Sequence, residues 1–157
     1  MDIVLSIGEY AISNRTGDFI STHALGSCVA LVIYQPTKRI LAMAHVALPD
    51  SAINPEAAKR RPGYYADTAV KTILDAFAKE FSSQNWELHA RLYGGADAVR
   101  KTDLFTIGKR NLSALEKASD NHGLLCQRRE TGGAWSRTIK ADVVTGRVEI
   151  QSFPFVY

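Results

Sequence analysis

Two short apolar runs, SCVALVIY (residues 27 to 34) and ILAMAHVAL (residues 40 to 48), stand on either side of the polar segment QPTKR. No other feature restricts the fold so tightly. The first run is rich in β-branched and aromatic residues and too short for an ordinary core helix, so it reads as a buried strand that starts just after Gly26. The second is rich in alanine and less decisive alone, but Pro36 in the intervening turn makes the pair a hairpin. With the turn centred between Pro36 and Thr37, opposed residues have numbers that sum to 73, which sets Cys28 opposite His45. Directly opposed side chains share a face, with Cβ atoms about 4.5–5.5 Å apart. A slip of one residue would turn the two to opposite faces. A lone Cys or His in an apolar run is by default core filling, so the pairing rests on that register.

Along the rest of the chain, Ile3 to Ile12 reads as a strand, SNRTGD (residues 13 to 18) as a turn and FIST (residues 19 to 22) as a short extended piece. Residues 50 to 63, DSAINPEAAKRRPG, form a polar loop with room for one helical turn, a rim or lid. From Tyr64, the positions Tyr65, Ala69, Ile73, Phe77 and Phe81 keep helical spacing over about five turns. LHARLYGGA alternates as a strand that runs into a Gly-Gly turn. Ile107, Asn111, Leu112, Leu115 and Ala118 mark a second helix, stopped at SDNHG. LLCQRRE, SRTIKADVV and RVEIQSF are three more strands. The expectation is an α/β fold in which residues 1–157 make a single domain: a layered α/β sandwich with a mainly antiparallel sheet and two principal helices. A chain of 157 residues, 46% hydrophobic and 22% charged, can bury such a core.

Other classes of function find little support. A net charge of +3 without long basic blocks argues against nucleic-acid binding. No stretch approaches the roughly 20 apolar residues that cross a bilayer, so no membrane insertion is expected. MDIVLSIGEYAIS lacks the marks of an export signal, and Cys28 and Cys126 form no disulfide framework, so a cytoplasmic protein with reduced thiols is expected. His89 and His122 have no ligand-spaced partner for a metal, and the Gly94-Gly95 and Gly132-Gly133 pairs lack the spacing of a nucleotide loop. Neither metal nor cofactor is expected.

The chemistry that remains is acyl transfer. An imidazole that takes a thiol's proton makes a thiolate nucleophile, and it needs a third group to orient it and donors to hold an oxyanion. Thr22 is the candidate orienter. Backbone N–H groups around Gly26, Ser27 and Cys28 are the candidate oxyanion donors.

In IGEYAIS, T-x-x-LGSCVALVIY, MAHVALP, YYADTAV, RLYGGA, IGKRN and ETGGAWSRTIKADVVTGRVEI, in that order over nearly the whole chain, the sequence resembles the chemoreceptor glutamine deamidases, the CheD family. The resemblance places the family's catalytic Cys on Cys28, its His on His45 and its Thr on Thr22. It implies hydrolysis of glutamine side chains in methyl-accepting chemoreceptor cytoplasmic domains to glutamate and ammonia, without a metal. It also implies a layered sandwich related to the deamidating domain of cytotoxic necrotizing toxins. A second partner it implies is the phosphatase CheC, and a chiefly regulatory role through CheC is the alternative. The sequence departs from the family pattern at His23 and Ala24, where a small or apolar residue and Gly are usual, and at Ser136, where Gly is usual. His23 is thereby expected to add a second imidazole near the site.

Overall fold

The computed structural model describes residues 1–97 and 106–154. Strands β1 (Asp2–Leu5), β2 (Tyr10–Ser13), β3 (Phe19–Leu25), β4 (Val29–Gln35) and β5 (Ile40–Val46) come first. Helices α1 (Pro55–Arg60) and α2 (Ala66–Phe81) follow, then β6 (His89–Gly94), α3 (Ile107–Asn121), β7 (Leu125–Thr131), β8 (Trp135–Asp142) and β9 (Val148–Pro154). The strands divide between a four-stranded sheet, β1-β3-β8-β9, and a five-stranded sheet, β2-β5-β4-β6-β7. Most neighbours are antiparallel; β1 with β3 and β6 with β7 are parallel. The α/β class and the two principal helices are those expected, with the strands shared between two sheets.

The unbroken apolar runs follow from the layering. The five-stranded sheet is the middle layer, covered by the other sheet on one face and by helices on the other. In β4, Val29, Leu31 and Ile33 join the core against α2 and α3, whereas Ala30 and Val32 join the core between the sheets. A strand buried on both faces has no polar side to alternate with. On α2, Ala66, Ala69, Val70, Ile73, Leu74 and Phe77 form the buried stripe, the 3.6-residue spacing seen in the sequence. The helix ends at Ser82, whose φ of 52° is left-handed.

Three details differ from expectation. Residues 3 to 12 form two strands in different sheets, because the chain turns at Ser6–Glu9 with Gly8 at φ 81°. The polar loop after Pro49 is more ordered than a single turn: Asn54 caps α1 by accepting from the Ala57 N–H at 3.1 Å, with Pro55 opening the helix. The hairpin register is also different. Ala30, not Cys28, is opposite His45. The connection from Gln35 to Ile40 is a four-residue one: Gln35 Oε1 accepts from the N–H groups of Thr37 (2.8 Å) and Lys38 (3.3 Å), and Arg39 closes the turn at φ 56°. This moves the register by two residues, and an even shift leaves every side chain on its face. Among the described residues, no helix is long and apolar enough to cross a membrane.

Candidate active site

Thr22 and His45 are in contact within the layer between the two sheets, and Cys28 borders the same layer. Cys28 lies immediately before β4, two positions from Ala30, and packs half-buried against the inter-sheet core. It therefore shares a face with His45 as its diagonal neighbour, within the reach of a long side chain. His45 is 3% exposed and Thr22 is fully buried. The backbone of His45 is held on both sides of its peptide: its N–H donates to Glu9 O at 3.0 Å and its carbonyl accepts from Gly8 N at 2.9 Å.

The hydroxyl of Thr22 touches two groups, the Leu5 carbonyl at 2.9 Å and His45 Nδ1 at 2.6 Å. A carbonyl only accepts and a hydroxyl has one proton, so that proton goes to Leu5. Toward the ring the hydroxyl then acts as acceptor, which assigns the proton to Nδ1. His45 Nε2 is left as a lone pair, and it is buried with no hydrogen-bond partner among the described residues. A buried polar atom without a partner is costly and rare away from functional sites. Burial lowers the pKa of His45 and raises that of Cys28, so the resting pair is a neutral imidazole and a neutral thiol.

The loop before Cys28 is held by its carbonyls. Gly26 O accepts from Ala96 N (2.8 Å), Ser27 O from Asn111 Nδ2 (3.1 Å) and Cys28 O from Gly95 N (2.8 Å). Gly94, at φ 103°, is required for this approach, since a Cβ there would lie 2.5 Å from Cys28 O. Among the described residues, the backbone N–H groups of Gly26, Ser27 and Cys28 make no hydrogen bond.

The two departures just before Cys28 have different consequences. Ala24 sits in a β-bulge, where the register of β3 against β8 shifts between Thr22 and Leu25, and adopts the left-handed φ of 54°. His23 does not join the site: it is exposed in a hollow on the outer face of the four-stranded sheet with Val4, Ser21, Thr138 and Lys140. Thr22 faces inward, and strand alternation turns the next side chain outward. Ser136 pairs with Phe153 on β9 and is half-buried. Its neighbour Arg137 is buried beside the turns that flank the loop before β4. Only 3% exposed, its guanidinium donates to Gly132 O at 2.8 Å and Gly94 O at 3.4 Å, and its Nε lies 3.5 Å from the Glu130 carboxylate. It ties together the two Gly-Gly turns beside the loop that carries Cys28.

Asn111 and Arg137 carry no role in the sequence reading. Asn111 gave one signal, an amide on the apolar stripe of α3; Arg137 gave another, a cation at an inward position of β8. Cys126 packs against the helix-side core, and burial raises its thiol pKa.

The family described as CheD chemotactic sensory transduction matches residues 47–152, a span that begins just after His45. Full-length relatives cover the remainder. A chemoreceptor glutamine deamidase CheD from Thermotoga maritima is 36% identical over 151 residues, 96% of this chain and 92% of its own. Probable members from Syntrophotalea carbinolica and Syntrophus aciditrophicus are 37% and 32% identical over 95% and 96% of the chain, and 93% and 94% of their own. YlmD from Geobacillus stearothermophilus has a similar fold, with a TM-score of 0.50 at 10% identity over 79% of this chain and 50% of that one.

Proposed function

Since the chain belongs to the CheD family, we propose that it hydrolyses the side-chain amide of glutamines in chemoreceptor cytoplasmic domains, through a thioester on Cys28. Residues 1–157 act in this reading as one deamidase domain, working in the cytoplasm where those receptor domains lie. The observation that carries it is the Leu5–Thr22–His45 relay, which leaves His45 Nε2 as a free base on the face that Cys28 shares.

The thiol proton passes to Nε2 as Sγ attacks the carboxamide carbon. The carbonyl oxygen takes the electron pair and is met by backbone N–H groups of the Gly26, Ser27 and Cys28 segment. When the intermediate collapses, the C–N bond breaks and Nε2–H protonates the leaving nitrogen, releasing ammonia and a thioester. Water then gives a proton to Nε2 and adds to the thioester carbon. Collapse breaks the C–S bond, the proton returns to sulfur, and glutamate is released. Because burial disfavours both ions, the proton moves as the substrate reacts rather than residing in a standing ion pair.

The intact Thr22, Cys28 and His45 set favours catalysis over a purely regulatory pairing with CheC. Conversion of glutamine to glutamate in purified receptor cytoplasmic fragments, read by mass spectrometry, tests the reading.

A further inference from the structure

We propose that Asn111 is a positioning residue for the oxyanion hole: its amide rotates the Ser27–Cys28 peptide so that the Cys28 N–H faces the substrate. This rests on the acyl-transfer reading of Cys28. In a planar trans peptide the C=O and the following N–H point to opposite sides. The carbonyl of Ser27 is pulled toward α3 by Asn111 Nδ2 at 3.1 Å, so the N–H of Cys28 is aimed away from α3. The flanking carbonyls of Gly26 and Cys28 are held the same way by backbone N–H groups. Asn111 is the one side chain among these anchors, and so the one that substitution can remove.

The same Nδ2 donates to Ala47 O at 3.0 Å, two residues beyond His45. A single amide thus spans the segment that bears the nucleophile and the segment that bears the base. Asn111 is fully buried, and its Oδ1 has no partner among the described residues. For stability alone, a half-satisfied amide on the apolar stripe of α3 is a poor choice. Its retention there is explained if the orientation of one peptide is worth that cost.

A purely structural Asn111 and an oxyanion-positioning one are separated by two reactions of the same thiol. Acylation by p-nitrophenyl acetate forms an Sγ–C bond, sends the thiol proton to His45 Nε2, and passes through an oxyanion before p-nitrophenolate leaves with its electron pair. Alkylation by iodoacetamide displaces iodide at a saturated carbon and builds no oxyanion. In a Cys126→Ala background, Asn111→Leu is expected to slow acylation of Cys28 by about 10–100-fold, below the loss for deleting an oxyanion donor outright, and to leave alkylation unchanged. Unchanged acylation overturns the proposal, as does an equal fall in both rates, which would mean that Asn111 only supports the Cys-His pair or the fold. Should the Leu variant fail to fold, Asn111→Ser, with room for water, is expected to show the same split, and its absence overturns the proposal equally. Receptor deamidation followed alongside keeps the two readings apart: acylation without deamidation sinks the receptor substrate and leaves Asn111 standing.

Discussion

His45 Nδ1 and Thr22 Oγ1 lie 2.6 Å apart, and the Thr22 proton is committed to Leu5 O, so Thr22 fixes a tautomer as well as a ring orientation. Val has the shape of Thr without the hydroxyl. Thr22→Val is expected to lower turnover by about 10–1,000-fold with little change in substrate KM, because an unanchored base still samples the productive geometry part of the time. Thr22→Ser keeps the relay and much of the activity. Normal turnover in the Val variant would remove Thr22 from the mechanism.

The pH profile follows from burial. His45 has its pKa lowered from the usual 6.5, so the neutral base persists below that value. The expected acid limb of kcat/KM therefore has its midpoint below 6.5, with activity lost as pH falls through it. Cys28 has its pKa raised from 9.0, so its iodoacetamide labelling is expected to keep climbing above that pH. Labelling that is already maximal at neutral pH would show a standing thiolate and contradict the neutral-pair assignment.

Much of this site was legible as pattern and little of it as register. SCVALVIY and ILAMAHVAL pair as expected because their composition leaves few other structures open. The two-residue shift came from Gln35, whose side chain caps a four-residue turn, a contact that hydrophobic pattern does not encode. Cys28 and His45 still shared a face because the shift was even. The break at Gly8, which sends β1 and β2 to different sheets, was hidden in an apolar run. Asn111 was visible only as a polar residue on an apolar stripe; its partners lie 64 and 84 residues away in sequence.

Ala24 offers a prediction about stability. With φ at 54° it occupies a region that Gly enters at no steric cost, whereas an L-residue there loses roughly 1–2 kcal/mol. Against this, Gly costs more backbone entropy on folding. Ala24→Gly is expected to stabilise the protein by about 0.5–1 kcal/mol, raising Tm by about 1–4 °C for a chain of this size. Urea unfolding checks the sign. A loss of stability would mean that the bulge is unstrained.

His23 lies on the outer face of the four-stranded sheet, away from the layer that holds Thr22 and His45. His23→Ala is expected to leave kcat and its pH profile unchanged in receptor deamidation assays. A shifted acid limb would place that imidazole in electrostatic contact with His45.

Cys28 is proposed as the nucleophile that deamidates receptor glutamines. Purified receptor cytoplasmic fragments incubated with the wild-type protein and with Cys28→Ala, then mapped by peptide mass spectrometry, test it directly. Glutamine-to-glutamate conversion is expected at discrete positions with the wild type and none above the enzyme-free control with Cys28→Ala, while circular dichroism shows both folded. Conversion by the Cys28→Ala protein at a rate near wild type would contradict it.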